Sequence, residues 1–279
     1  MQDFHFQHKH LTAAEVSASK MHRLHQVKLF YPAICHITHG SKVIIHEDSR
    51  LVATPDELII IPANTPMEIV NQPAQGIFHS DLLLLSPDII AAFKTRYLQS
   101  WPRSKTDSLC APLSEGLAFM WGNLLHAVRH DFPDELQKHQ AFGLLLALLH
   151  DGVAGPLLIE RNVNLTEQVR QFIMMSPARA WTAQDVASRL AVSVPTLRRR
   201  LREESHSFRQ IVEEVRMAVA LSQLQSTRLS VGEIAIQCGY LASPRFTARF
   251  RQHYGCLAKT LGESPGHNLL FFGFRARYG

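Results

Sequence analysis

Two stretches of this chain, at 185–201 and 233–250, repeat one residue pattern, and no other feature constrains the fold as much. Each opens with an acidic residue and carries an alanine, Ala187 or Ala235, where two helices would cross closely. A short turn then leads into a second amphipathic segment. One helical hairpin of this kind is common in soluble proteins, but a pair whose copies start 48 residues apart (185 and 233) predicts two helix-turn-helix units.

The second segment of each unit begins with the start signals of a helix. Ser193 precedes the first, and Ser243 with Pro244 opens the second, in line with the preference for serine at N-caps and proline in the first turn. The apolar anchors recur at helical spacing and are Leu197, Leu201, Phe246 and Phe250. The residues between the anchors must face outward or sideways, as in a recognition helix that enters the DNA major groove.

Candidates for base reading follow from this geometry, because the N-terminal half of a recognition helix meets the base edges. In the first unit they are Val194, Pro195, Thr196, Arg198 and Arg199, with Arg202 on a phosphate. In the second unit they are Ser243, Pro244, Arg245, Thr247, Ala248 and Arg249. The second helix has fewer donors, so we expect it to depend more on thymine methyl groups and on fit to the phosphate backbone.

The excess positive charge is confined to the same region. Residues 182–254 contain 11 arginines, no lysine and 6 acidic residues, whereas the whole chain has 29 basic and 24 acidic residues. The other 206 residues therefore carry 18 of each sign and are neutral. Arginine suits bidentate recognition of phosphates and guanine edges. A solvated helix face is the alternative explanation of the arginine run at 198–200.

Three runs of this sequence resemble the AraC/XylS family of bacterial transcription regulators: WTAQDVASRLAVSVPTLRRRLREE, SFRQIVEEVRMAVALSQL and LSVGEIAIQCGYLASPRFTARFRQHYG. The resemblance covers roughly 165–255. It implies that the middle run is a long helix holding two readers about one DNA turn apart, near ~34 Å or about 10 bp, on an asymmetric site of ~20 bp. It also implies double-stranded promoter DNA and RNA polymerase as partners.

The length predicts about two domains. Residues 1–150 are expected to form a sensor and dimerisation domain, 151–164 a linker, and 165–265 an all-α DNA-binding domain that opens with a helix at 165–175. Beyond Gly255 the sequence departs from the family pattern, and 266–279 is unusually apolar for a chain end. Packing on the sensor domain, self-association and a sequence scar all remain open for this tail.

Short β segments separated by turn signals fill about 26–86, among them AICHITHG and ELIIIPANTPMEI. Their density predicts a small barrel or jelly roll, and the second segment resembles the cupin-like sensor domains common in the AraC family. The chain is therefore expected to be α+β, with an N-terminal cupin-like β-barrel, a helical hairpin, and a C-terminal all-α domain that carries both helix-turn-helix motifs.

Because cupins often hold metals, the histidines of this region are candidate ligands: His36, His39, His46 and His79. They lack the HxH pair, the following glutamate and the later histidine of a cupin metal site, and the first two fall on opposite faces of a strand. We expect neither a metal nor a cofactor, and no enzyme activity; a cupin-type metal-dependent enzyme is the main alternative. The cysteines, Cys35, Cys110, Cys238 and Cys256, show no CxxC spacing, which disfavours a zinc site or a disulfide framework.

Helices are predicted near 87–98, 113–130 and 134–150. The apolar face of the second exceeds what a small barrel needs to cover, and its residues are Leu117, Trp121, Leu124, Leu125 and Val128. In the AraC family the corresponding helical hairpin often forms the dimer, so a homodimer through these residues is the expectation. The alternative is that both helices cap the barrel.

The overall layout resembles the enteric virulence and stress regulators of that family, some of which hold a fatty acid between their domains with one lysine from each. Ala33 and Gln225 stand near those lysine positions here. Lys28 and Lys42 lie on nearby predicted strands, so an acidic effector is one possibility, while a neutral effector or none fits equally well. The candidate effector residues are Lys28, Phe30, Tyr31, Lys42 and Ile44, although the apolar ones could simply be core.

The start, MQDFHFQHKH, lacks the apolar segment of a signal peptide, and no run approaches the ~18 apolar residues of a membrane span. We therefore expect a cytoplasmic protein without a membrane partner. The predicted function is a sequence-specific DNA-binding transcription regulator, an activator modulated at its N-terminal domain. One alternative is non-specific nucleic-acid binding. Another is RNA binding, and that function would need exposed aromatic side chains on which bases can stack.

Overall fold

The structure is a computed structural model that describes residues 10–98, 108–158, 164–227 and 229–262. The N-terminal part is built from antiparallel strands, of which Met67–Gln72 alternates between buried and partly buried residues and Glu57–Ile61 and Phe78–Leu85 are buried along almost their whole length. The strands are β1 (Leu11–Ala18), β2 (His22–Val27), β3 (Ala33–His39), β4 (Ser41–His46), β5 (Ser49–Ala53), β6 (Glu57–Ile61), β7 (Met67–Gln72), β8 (Phe78–Leu85) and β9 (Cys110–Pro112). Strand formation therefore begins at Leu11, whereas the sequence predicted it from about 26.

The strands form two sheets rather than a closed barrel. One sheet has the order β1-β8-β3-β6-β9 and the other the order β2-β7-β4-β5. The early strands were missed because β1 and β2 mix small and polar residues, LTAAEVSA and HRLHQV, and lack a β-branched run. Tertiary pairing decides their conformation, since β1 pairs with β8 along its whole length, from Leu11 opposite Leu85 to Ala18 opposite Phe78.

Four helices pack on the outer face of the five-stranded sheet. They are α1 (Pro87–Tyr97), α2 (Glu115–Arg129), α3 (Asp134–His150) and α4 (Gly155–Leu158). The first three lie where the sequence predicted them, while α4 falls within the predicted linker. The helices bury their apolar faces against Ile34, Leu58 and Leu83, which point outward from that sheet. The helices and this sheet thus form a hydrophobic core of their own, which explains why the apolar faces of the helices are larger than covering a small barrel would require.

The C-terminal part is all-helical. Its helices are α5 (Leu165–Met175), α6 (Ala183–Arg189), α7 (Val194–Glu203), α8 (Phe208–Ser226), α9 (Val231–Gln237), α10 (Ser243–Tyr254) and α11 (Ala258–Gly262). The helix α5 has the predicted bounds. The predicted apolar tail at 266–279 lies outside the described residues.

The space between the two sheets and the core of the helical domain form one continuous apolar cluster, in which Leu84, Leu221 and Tyr254 are all buried. The four cysteines are free, and burial raises the pKa of Cys110 and of Cys238 to about 12. Within the described ranges, no helix combines the length and apolar character that a membrane crossing requires.

Candidate nucleic-acid interface and interdomain cavity

The first helix-turn-helix unit consists of α6 and α7, and each helix starts at a side-chain cap. Thr182 and Asp185 form a capping box at α6, and the hydrogen bonds from Thr182 hold the pKa of Asp185 below its ordinary value. Ser193 accepts a hydrogen bond from the backbone N–H of Thr196 at 3.2 Å and so caps α7. Leu197 and Leu201 are completely buried, as predicted, and fix the face that α7 turns to its own domain.

The opposite face of α7 is basic and exposed. Arg198, Arg199 and Arg202 are all solvent-exposed, which is the placement that DNA contact requires. Arg199 already donates to Glu203 at 2.7 Å, one turn along the helix. Arg198 forms no ion pair with any described residue, so its guanidinium can turn to a base edge without breaking a contact.

The second unit consists of α9 and α10. Ser230 and Glu233 form the capping box of α9, and their hydrogen bonds lower the pKa of Glu233. The helix α10 opens with Ser243 and Pro244, as predicted, but its N-cap is Ala242 rather than Ser243 and offers no side-chain hydrogen bond. Phe246 and Phe250 are completely buried and their rings lie 5.7 Å apart, which confirms both as core.

The predicted reading residues of α10 divide into two groups. Pro244, Arg245 and Ala248 are exposed. Arg249 instead lies beside the joining helix, with its Nε 3.4 Å from Glu213 Oε1, and the Thr247 hydroxyl donates to the backbone oxygens of Ser243 and Pro244. Periodicity alone did not reveal this, because the neighbouring helix supplies the contact to Arg249.

The joining helix α8 has 19 residues and is thus about 28 Å long. Arg216, near its middle, donates to the backbone oxygens of Pro177 and Arg179 beside the first unit. On its other side, its guanidinium lies 5.9 Å from the ring of Tyr240, in the turn of the second unit. Sequence reasoning missed Arg216, which links the segment just before the first unit to the turn of the second.

A network of ion pairs joins the two domains. Arg170 on α5 is buried, with only 5% of its side chain exposed, and contacts Glu214 on α8 at 3.0 Å and Glu167 at 3.4 Å. Asn64, in the β6–β7 turn of the sensor, donates to Glu167 at 3.0 Å, and Lys28 of the sensor lies 3.6 Å from Glu214. The sensor therefore contributes one amide and one ammonium group to a network centred on the DNA-binding domain.

A narrow cavity lies beside this network, between the two sheets and α8. Its volume is about 70 Å³, smaller than the ~300–1,000 Å³ pockets that hold drug-sized ligands. Lys42 and Asn71, opposite each other on β4 and β7, reach into it and are 5% and 2% exposed. The ammonium of Lys42 lies 5.4 Å from the ring centre of Phe78, and Asn71 Oδ1 has no hydrogen-bond partner among the described residues.

Three of the five candidate effector residues line the cavity: Lys28, Phe30 and Lys42. Tyr31 and Ile44 pack in the surrounding core instead. Gln225, which stands near a lysine position of the resembled regulators, also lines it. Burial lowers the pKa of Lys28, and the nearby Glu214 carboxylate opposes that effect.

The candidate dimerisation residues lie inside the protomer. Leu117, Trp121, Leu124 and Leu125 are buried in the core between the helices and the five-stranded sheet, and Val128 packs beside them. These side chains therefore form no free surface. The exposed apolar residues of this hairpin are Phe119, Phe132 and Leu136, at 65%, 39% and 52% exposure.

Among the described residues, one group is dense enough in ligand atoms to hold a metal: Glu15, His79 and Asp81. The guanidinium of Arg129 donates to both carboxylates and supplies the positive charge there, tying the end of α2 to β1 and β8. The other candidate ligands lie apart from this group: His36 contacts the carbonyl of Pro55, His46 contacts that of Pro66, and His39 is exposed.

Residues 186–264 match the model of a family described as a helix-turn-helix domain. Over 121 residues the chain is 31% identical to the urease operon transcriptional activator of Escherichia coli, covering 43% of this chain and 41% of that protein. Over 129 residues it is 35% identical to the HTH-type transcriptional regulator GadX of Escherichia coli strain K12, covering 46% and 47%. The chain thus spans less than half the length of the curated relatives it matches.

A solved structure of ToxT from Vibrio cholerae has a TM-score of 0.66 at 14% identity, covering 92% of this chain and 100% of that one. A further ToxT structure, with bound unsaturated fatty acid, has the same score and identity and covers 97% and 100%. These likenesses establish the fold of both domains. The helix-turn-helix match at 186–264 and the two units on one joining helix agree with the resemblance of this part of the chain to the AraC/XylS family.

Proposed function

We propose that this chain is a sequence-specific DNA-binding transcription regulator that acts as an activator. The observation that carries the proposal is the pair of recognition helices, α7 and α10, joined by α8, each with one buried apolar face and one exposed face that carries arginines. Each good bidentate arginine–guanine pair would supply about 1–3 kcal/mol of discrimination. Activation is supported by the transcriptional activator among the relatives, and we propose RNA polymerase as the protein partner.

Selection from a random duplex pool with the purified chain tests this function. Enrichment of an asymmetric site of ~20 bp, with two blocks about one turn apart, is the expected result. Fluorescence anisotropy on the selected duplex at two salt concentrations then separates specific from electrostatic binding. If no sequence is enriched and all binding vanishes at the higher salt concentration, the chain is a non-specific binder and the proposal is wrong.

Arg198→Ala tests the reading role of the first unit. We expect it to relax base preference at one position of the selected site and to weaken specific binding by about 1–3 kcal/mol, because one bidentate base contact is lost. Repeating the selection with the variant measures the effect. Arg50→Ala, which removes an exposed arginine from β5 of the sensor, is the matched control. An equal loss on every sequence would make Arg198 a phosphate contact instead.

We propose further that the interdomain cavity holds a small apolar effector with an acidic head group. Lys42 is the central observation, since a buried ammonium without a carboxylate partner is costly unless an anion or acceptor joins it. The Asn71 amide can serve as either donor or acceptor beside it, because its oxygen and nitrogen can exchange by a flip. The small volume of the cavity favours a short ligand, or a longer one whose binding moves the two domains apart.

Replacing Lys42 with methionine is expected to weaken the binding of such ligands and to leave basal DNA binding intact. A charge-assisted hydrogen bond is worth about 1.5–3 kcal/mol, so affinity should fall about 10- to 100-fold. Thermal shifts with straight-chain carboxylates from four to ten carbons provide the measurement, and Lys138→Met on α3 is the control. If the matching alcohols shift the melting temperature as much as the acids do, the head-group charge is not recognised.

The homodimer is proposed on the exposed face of the α2–α3 hairpin rather than on the buried residues named from the sequence. Phe119 is 65% exposed there, and contiguous exposed apolar surface often marks an interface. Phe119→Asp is expected to convert a dimer into a monomer in multi-angle light scattering, with unchanged circular dichroism. Val52→Asp, at a residue that is 48% exposed on β5, is the control and should leave the mass unchanged.

A further inference from the structure

An open groove separates the β1–β2 turn of the sensor from the end of the second recognition helix. Its volume is about 680 Å³, and its lining includes Lys20 and Arg23 from the sensor and Arg251 from α10. None of the described residues that line it is acidic. Arg23 is paired with Glu68 at 2.6 Å, but Lys20 and Arg251 are exposed and form no ion pair with a described residue. Two unpaired cations, one from each domain, therefore face the same open space.

Arg251 lies on the reading face of α10. It stands seven residues beyond Pro244 and three beyond Ala248, a spacing that places all three on one side of a helix. The opposite side carries the buried residues Phe246 and Phe250. A duplex seated on the reading face would thus extend toward Arg251 and the groove.

The sensor is held firmly at this end of α10. Gly255 terminates the helix in the left-handed region, at φ +76°, and the His25 ring on β2 occupies the space that a side chain at this position would fill. A β-carbon at this position would clash with His25, so a larger residue would require the His25 side chain to move as well as a strained backbone. Glu68 fixes the ring from the other side, 2.7 Å from His25 Nδ1. The turn that carries Lys20 is therefore positioned relative to the reading helix by direct packing.

We infer that the β1–β2 turn of the sensor domain is part of the DNA interface, with Lys20 and Arg251 contacting the phosphate backbone that flanks the segment read by α10. This inference rests on the proposed DNA-binding function. A duplex is the occupant because the groove is wide, uniformly basic in its charged residues and continuous with the reading face. The contact makes DNA affinity depend on where the sensor sits, since a domain movement that withdraws the turn removes a phosphate contact.

The test uses the full chain and the duplex selected by it. Each phosphate contact contributes about 0.9 to the slope of log affinity against log salt, so Lys20→Ala should reduce the magnitude of that slope by about 0.9 on specific and non-specific DNA alike. Lys20→Arg should restore it. Lys138→Ala is the matched control, because α3 packs with the helices on the five-stranded sheet whereas β2 belongs to the other sheet.

A shortened duplex makes the test specific to this surface. Removing about five base pairs beyond the block read by α10 removes the phosphates assigned to Lys20 and Arg251, so the salt slope should fall by about 1.8 for the wild-type chain and by about 0.9 for Lys20→Ala. Equal slopes for Lys20→Ala and Lys138→Ala, or equal sensitivity of both chains to shortening, would overturn the inference. Failure of the wild-type chain to select any sequence would instead count against the proposed function itself.

Discussion

Leu197→Asp is expected to abolish sequence-specific DNA binding by unfolding the first helix-turn-helix unit. Leu197 is completely buried between α7 and the rest of its domain, so the substitution removes an apolar anchor and buries a carboxylate without a partner. The combined loss should exceed about 4 kcal/mol, a large share of the ~5–15 kcal/mol that stabilises a typical domain. Urea unfolding followed by circular dichroism, and anisotropy on the selected duplex, measure the two effects.

Leu197→Met is the control for this variant, because a volume-conserving apolar exchange usually costs less than about 1.5 kcal/mol. It should bind the selected duplex nearly as well as the wild-type chain. If Leu197→Asp keeps both its helix content and its DNA affinity, α7 does not pack through this residue and the assignment of its reading face is wrong.

Arg170→Met is expected to loosen the contact between the two domains. The change leaves Glu167 and Glu214, which are 14% and 25% exposed, close to one another without their central cation. Removing one partner of a buried ion pair commonly costs 3–5 kcal/mol, and since these glutamates are partly solvated we expect about 3 kcal/mol. Urea unfolding measures the stability. Hydrogen exchange of the Asn64 backbone amide, which donates to the Leu29 oxygen at 2.6 Å, measures local opening of the sensor at its contact with the DNA-binding domain.

Two further variants make the result interpretable. Arg170→Lys keeps the charge but loses the planar fork that reaches both carboxylates, so an intermediate loss is expected. Arg209→Met removes an exposed arginine from the same domain and should change stability by less than about 0.5 kcal/mol. If Arg170→Met is as stable as Arg209→Met and exchanges no faster at Asn64, the network does not hold the domains together.

Local signals in the sequence were sufficient to predict the helix-turn-helix units of the DNA-binding domain and their core residues. Caps, helical spacing of apolar residues and outward arginines are short-range properties, and the structure confirms Leu197, Leu201, Phe246 and Phe250 as core. The helix α5 was placed with its bounds for the same reason, since the Asn164 side chain caps it by accepting from Glu167 N–H at 2.9 Å. The resemblance to the AraC/XylS family rests on this part of the chain.

Side-chain partners from distant segments were not predictable in this way. Arg249 shares the spacing and charge of a reading residue, yet Glu213 on α8 holds it to the side. An apolar residue such as Trp121 is equally compatible with a dimer interface and with a core. Trp121 is a core residue because it packs against the five-stranded sheet. The sequence does not distinguish Lys42 from an exposed lysine on a strand. In the structure, β7, α8 and Phe78 surround it.

The sequence by itself determined that this protein carries two helix-turn-helix units on a joining helix, because periodicity, capping and charge act within a few residues of one another. Only the tertiary structure decided that the sensor is a two-sheet sandwich starting at Leu11, that Arg170 contacts Asn64 and Phe30 of the sensor, and that Lys42 faces a cavity. Those features depend on pairing and packing between residues far apart in the chain, such as β1 with β8 and Lys28 with Glu214, and such contacts leave no periodic trace in either partner alone.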